Sequence, residues 1–120
     1  MAWELDSDRP IYAQLVERIQ MEIVSGYYPP GGRLPSVREL AAEAAVNPNT
    51  MQKAFAELEH SGLIITQRTN GRIVTEDTEL IGEIRGQLAQ SHIDAFYDNM
   101  KQLGYTREQI MEQLQHSLQE

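Results

Sequence analysis

The chain has 120 residues, with 18 acids against 10 lysines and arginines and a formal net charge of -8. This length holds one compact domain, or one domain with a helical appendage, and is too short for a TIM barrel or a full dinucleotide-binding fold. The absence of cysteine removes disulfides, thiolate metal sites and cysteine nucleophiles, and the net anion argues at face value against a polyphosphate partner.

No apolar run approaches the roughly 18 residues of a membrane span, and no charged start leads into an apolar targeting segment. A cysteine-free chain fits a reducing cytoplasm. The residues Ala2-Trp3-Glu4-Leu5 alternate apolar and polar and read as a short strand or arm, with Trp3 packing as a lid on the core. A first helix is expected from Pro10, with Ser7 or Asp8 as a nearby cap. Ile11, Leu15, Ile19 and Ile23 recur every four residues beside Tyr12 and Val16, which makes this helix amphipathic. Gly26 supplies its stop, and Tyr27 to Gly32 form a breaker-rich loop.

A second, short helix starts at Ser36. The residues Ser36-Val37-Arg38-Glu39 form a capping box, and Val37, Leu40, Ala41 and Ala44 form the apolar stripe. A turn at Ala45-Val46 leads at once to Asn47-Pro48, a cap residue followed by proline at the first helical position. In the third helix Met51, Ala54, Phe55 and Leu58 share an apolar face, while Asn49, Gln52, Lys53 and Ala56 repeat the same spacing on a polar one. Gly62 ends it. The β-prone segments Leu63 to Gln67 and Arg72 to Thr75 flank Asn70-Gly71, the strongest short-range hairpin signal, so a two-stranded wing is expected.

From Glu76 onward two more helices are expected. Leu80, Ile81, Ile84, Leu88, Ala95, Phe96, Met100 and Leu103 form a long stripe that breaks near Ser91-His92. Gly104 stops the helix, Thr106-Arg107-Glu108-Gln109 is a second capping box, and Ile110, Leu114 and Leu118 continue with period four. Such a pair is too small to hold a core alone, so its apolar residues need a partner: the first domain, another chain, or both. The expected organisation is mainly α with one small β-hairpin: a winged helix-turn-helix over residues 1–76 and a helical dimerisation tail over 77–120.

A helix-turn-helix offers the start of its third helix to base edges in the major groove. Asn49 and Gln52 carry the amide type that pairs bidentately with adenine. Arg38 and Lys53 suit phosphate, as do the amides at the start of each capped helix, so Arg33 and Ser36 beside the second helix join the candidate contacts. The wing adds Arg68 and Arg72. Residues 33 to 74 hold five cations against four acids, whereas the tail from Thr78 holds three cations against seven acids. The acidity therefore lies away from the candidate contact surface, and the objection raised by the net charge weakens.

Pro10-Ile11-Tyr12-Ala13-Gln14-Leu15, Leu34-Pro35-Ser36-Val37-Arg38-Glu39-Leu40-Ala41, Val46-Asn47-Pro48-Asn49-Thr50-Met51-Gln52-Lys53-Ala54 and Glu57-Leu58-Glu59-His60-Ser61-Gly62-Leu63-Ile64 together resemble the GntR family of bacterial transcription regulators. The resemblance covers about residues 9 to 75, and the short tail and Asn-Pro-Asn-Thr helix start resemble the YtrA-type subfamily. It implies a homodimeric regulator, a repressor in type, bound to a palindromic double-stranded operator. It maps DNA contacts onto Arg38, onto Asn47, Asn49, Thr50 and Gln52, and onto the wing tip at Thr69, Asn70 and Gly71. Two departures stand out. Asn47-Pro48 replaces the Ser-Arg or Thr-Arg of many relatives, and the wing lacks the first glycine of Gly-x-Gly-Thr-Phe-Val.

Other readings point elsewhere. An enzyme finds no Ser-His-Asp order, phosphate loop or paired buried carboxylates. Glu112 and His116 share a helix face at metal-ligand spacing but need a third ligand, so neither metal nor cofactor is expected. A winged helix also serves as a protein-interaction module without base-specific DNA binding. A small-molecule effector, held in a cleft between the tail and the winged domain to which the stripe near Met100 and Met111 adapts, is the remaining alternative, against which plain core packing is the simpler account.

Overall fold

The computed structural model describes residues 3–119. Its elements in chain order are α1 (Ile11–Val24), α2 (Val37–Ala44), α3 (Pro48–Ser61), β1 (Ile64–Gln67), β2 (Gly71–Val74), α4 (Thr78–Gln102) and α5 (Arg107–Leu118). The chain forms two compact units, one running to Arg85 and one from Gly86, so the winged unit takes in the first two turns of α4.

In the winged unit α3 is central and packs against α1, α2 and β1. Phe55, Leu15, Ile19, Ile23, Leu40, Met51, Leu58, Leu63, Ile64 and Val74 are fully buried. The apolar faces expected of the first and third helices therefore meet, and burial of these side chains is the main stabilising term. Val37 is only half-buried, so the stripe of α2 rests on Leu40, Ala41 and Ala44.

The chain before α1 differs from expectation. Trp3 to Asp6 form no strand, and Ala2 lies outside the described residues. Trp3 is nonetheless buried, with the Arg18 guanidinium 4.6 Å from its ring centroid. Neither Ser7 nor Asp8 caps α1, whose N-cap position is Pro10 with no side-chain bond. Buried Gln14 ties the segment down instead. Its Nε2 donates to the carbonyls of Asp6 (2.8 Å) and Arg9 (3.1 Å), and its Oε1 accepts the Asp6 amide at 2.7 Å.

The turn between α2 and α3 contains Ala45 at φ 60°, ψ 48°. A left-handed conformation costs an L-residue roughly 1–2 kcal/mol, and turns of this kind often carry glycine. Because Ala45 is exposed, Ala45→Gly should relieve the strain without opening a cavity. The expected result is a gain of about 1 kcal/mol after the entropy cost of glycine, read as a higher urea midpoint at unchanged m value. An unchanged or lower midpoint would show that Ala45 carries no strain.

The hairpin is antiparallel, pairing Ile64 with Val74, Ile65 with Ile73, Thr66 with Arg72 and Gln67 with Gly71. Asn70-Gly71 is not a two-residue turn. Arg68, Thr69 and Asn70 span the gap, Gly71 takes the left-handed conformation at φ 71°, and Asn70 Nδ2 closes the loop on Gln67 Oε1 at 2.8 Å. The breaker-rich segment also contributes pairing. Gly31 donates to Val74 O at 3.0 Å, Val74 to Gly32 O at 2.8 Å and Leu34 to Arg72 O at 2.9 Å, with a bridge between Arg33 and Ile73.

Two further contacts involve the start of α4. Asp77 Oδ1 accepts the Leu80 amide at 3.1 Å and caps the helix start. A side chain at Gly62, which ends α3 at φ 89°, would come within 3.1 Å of Leu80 Cδ2. Ile81 and Ile84 are buried in the single chain. All three residues belong to the winged unit, where Leu80 is half-buried. In the second unit Ile110 is buried and Leu88 and Met100 are half-buried. Phe96, Leu103, Leu114 and Leu118 are exposed, and so are Ile93, Tyr105 and Met111. The capping box at Thr106 and Gln109 is present, and Gly104 is left-handed at φ 93°.

Candidate nucleic-acid interface

The polar face of α3 stands opposite its buried one. Asn49, Gln52 and Lys53 are exposed and Thr50 is half-buried. The Lys53 ammonium lies 3.9 Å from the centroid of the Tyr12 ring on α1, which orients a long side chain without removing its charge.

Asn47 has a structural task. Its Oδ1 accepts the Asn49 amide at 2.7 Å, so this side chain is oriented by capping its own helix. Pro48 has no N–H, and the Thr50 amide is bonded to Asn47 O at 3.0 Å. The first turn of α3 therefore has no open amide for a phosphate, contrary to the expectation for each capped helix. At α2 the expectation fits better. Ser36 Oγ accepts the Glu39 amide and Glu39 Oε1 accepts the Ser36 amide, both at 3.1 Å. The amides of Val37 and Arg38 make no hydrogen bond among the described residues. The Ser36 amide, and after it the Ser36 hydroxyl, hold the Glu39 carboxyl below its ordinary range.

An open groove joins this helix start to the wing, lined by Tyr28, Arg33, Leu34, Pro35, Ser36, Glu39, Gly71 and Arg72. The strand-like pairing of residues 31 to 34 with β2 brings Arg33 there. Arg33, Arg38 and Arg68 are exposed and form no ion pair among the described residues. Arg72 differs: it is half-buried, and its Nε donates to Glu59 Oε1 at 3.1 Å. Thr69, Asn70 and Gly71 form an exposed tip.

The structure thus brings Arg33, Ser36, Gly71 and Arg72 to one groove and leaves Asn49, Gln52 and Lys53 on the open face of α3. Tyr12, Tyr28 and Glu59 were not among the sequence candidates. Tyr12 had one usable signal, a ring on the flank of the first helix stripe. The rival metal pair stays a pair: Glu112 and His116 share a groove with Tyr105, Gln109 and Gln113, and no group of three potential ligands occurs among the described residues. No described helix is long and apolar enough to cross a membrane.

Comparison with known proteins agrees with this geometry. Residues 11–74 match the model for bacterial regulatory proteins of the gntR family. The transcriptional repressor YtrA of Bacillus subtilis (strain 168) is 40% identical over 97 residues, covering 76% of this chain and 75% of its own. A GntR family transcriptional regulator from Listeria monocytogenes has a structure similar at a TM-score of 0.86 and 40% identity, over 93% of this chain and 98% of its own. The DNA-binding domain of AraR, solved in complex with operator ORX1, is similar at a TM-score of 0.54 and 29% identity, over 62% of this chain and 92% of its own. With an interface of winged helix-turn-helix form and a family match over residues 11–74, the chain belongs to the gntR family of helix-turn-helix transcriptional regulators.

Proposed function

We propose that the chain is a dimeric cytoplasmic repressor, two copies of which read the halves of a palindromic operator. Asn49, Thr50 and Gln52 meet base edges in the major groove. Arg33, Arg38, Lys53 and Arg68 hold phosphates, and the amides that follow Ser36 add neutral donors. Thr69, Asn70 and Gly71 enter the minor groove, and Asn47 sets the start of the reading helix. The half-sites lie about 34–36 Å apart, or a multiple of that.

The observation that carries this reading is the division of α3, apolar and buried on one side, with two exposed amides at helical spacing on the other. The AraR complex with operator DNA supports the class of partner. The exposed Phe96, Leu103, Leu114 and Leu118 support a second copy as the partner of the tail.

Arg38→Ala is the direct test. Each lost phosphate contact lowers the slope of log affinity against log salt by about 0.9, so a dimer should lose nearly two units. Anisotropy titrations of an operator duplex between low and moderate salt measure this. If affinity and slope both stay at the parental values, Arg38 does not touch DNA.

A further inference from the structure

We infer that Glu59 is the residue that positions the wing on the recognition helix, and that Arg72 is its counter-ion rather than a contact to DNA. Both carboxylate oxygens of Glu59 are engaged. Oε2 accepts the Thr66 hydroxyl at 2.7 Å, and Oε1 accepts Arg72 Nε at 3.1 Å. Thr66 and Arg72 are register partners on adjacent strands, so one α3 side chain holds both sides of a single rung of the hairpin. The Arg72 guanidinium carbon also lies 5.3 Å from the ring centroid of Phe55, which sits one helical turn before Glu59. The carboxyl is held below its ordinary range, chiefly by the Thr66 hydroxyl and then by Arg72.

The position of this rung gives the contact its leverage. The Ile64–Val74 rung at the base of the hairpin is buried and anchored by apolar packing. Thr66 and Arg72 lie two rungs further out on the same face, next to the Gln67–Gly71 pair that closes on the exposed tip. Beyond the apolar base, Glu59 fixes the attitude of the tip relative to Asn49 and Gln52 on its own helix. A paired Arg72 has its charge largely cancelled at short range, which leaves Arg68 as the wing's uncompensated cation.

The electrostatic half of this inference rests on the DNA-binding reading, and the positional half does not. The test uses the whole chain with Glu59→Gln, Arg72→Gln, Arg72→Lys, Arg68→Gln, the Glu59→Gln/Arg72→Gln pair, and Glu57→Gln as a control acid on the same helix. Without DNA, amide hydrogen exchange across residues 65–72 should quicken several-fold in Glu59→Gln and Arg72→Gln and recover in part in Arg72→Lys. Exchange in α1 to α3 should not change. Parental wing exchange in Glu59→Gln would refute the tether. With a random duplex, Arg68→Gln should lower the salt slope by about 0.9 per protomer and Arg72→Gln should leave it unchanged. Glu59→Gln should steepen the slope, an effect lost in the double variant and absent in Glu57→Gln. Equal losses from Arg68→Gln and Arg72→Gln would make Arg72 a phosphate contact and overturn the counter-ion role. A parental chain that fails to bind any duplex would instead refute the DNA-binding reading, with the exchange result still deciding the tether.

Discussion

Cutting the chain after Arg85 should turn a dimer into a monomer and weaken binding to a two-half-site operator by about 10²–10⁴-fold, while affinity for a single half-site stays near the parental value. The size follows from effective concentration: tethering two readers makes the second contact intramolecular. The position of the cut matters. Ile81 and Ile84 are buried and Leu80 meets Gly62, so removal from Thr78 would strip the winged unit and confuse misfolding with loss of a partner. A cut after Arg85 keeps those residues and removes the exposed Phe96, Leu103, Leu114 and Leu118. Sedimentation equilibrium reads the assembly state, and operator titration reads the affinity. A dimer that survives the cut would put the interface on the winged unit and end the proposal for the tail.

Gln52→Ala should remove base preference at one position in each half-site. A good bidentate pair discriminates by about 1–3 kcal/mol, so two half-sites together should lose roughly 2–6 kcal/mol against the best operator. Affinity for random duplex should fall far less, because a neutral amide contributes nothing to counterion release. Selection from a randomised duplex pool checks this. Recovery of the parental consensus would remove Gln52 from the readers. Asn47→Ala makes a useful contrast. Because the Asn47 oxygen caps α3, its loss should appear as about 1 kcal/mol of stability before it appears as altered preference.

What could be read from the sequence was local. The capping boxes at Ser36–Glu39 and Thr106–Gln109 each satisfy their own backbone within four residues, and both are present. Gly62 and Gly104 stop helices because their left-handed backbone needs no tertiary support. The apolar face of α3 followed from helical period alone. The features that escaped involve residues far apart in the chain. Gln14 replaces the expected cap by reaching eight residues back to Asp6. Residues 31 to 34 look like loop until β2 offers an edge to pair with. Glu59 and Arg72 lie thirteen positions apart, and nothing in either neighbourhood announces the pair. The same limit applies to the tail stripe: periodicity shows that Ile81 and Ile84 fall on its apolar side, and only the fold shows that they are buried within one chain.

The start of α3 has a wider consequence. With Pro48 lacking an N–H, the Asn49 amide given to Asn47 and the Thr50 amide already bonded, the helix that carries the two reading amides has no backbone hold on the sugar-phosphate rail. On the proposed reading, adhesion belongs mostly to α2 and the wing, and address belongs to α3. Residues 49 and 52 can then drift among side chains with little change in how strongly the protein clings to arbitrary duplex. A lineage built this way is free to acquire new operators by small steps, each keeping the grip while the word being read changes.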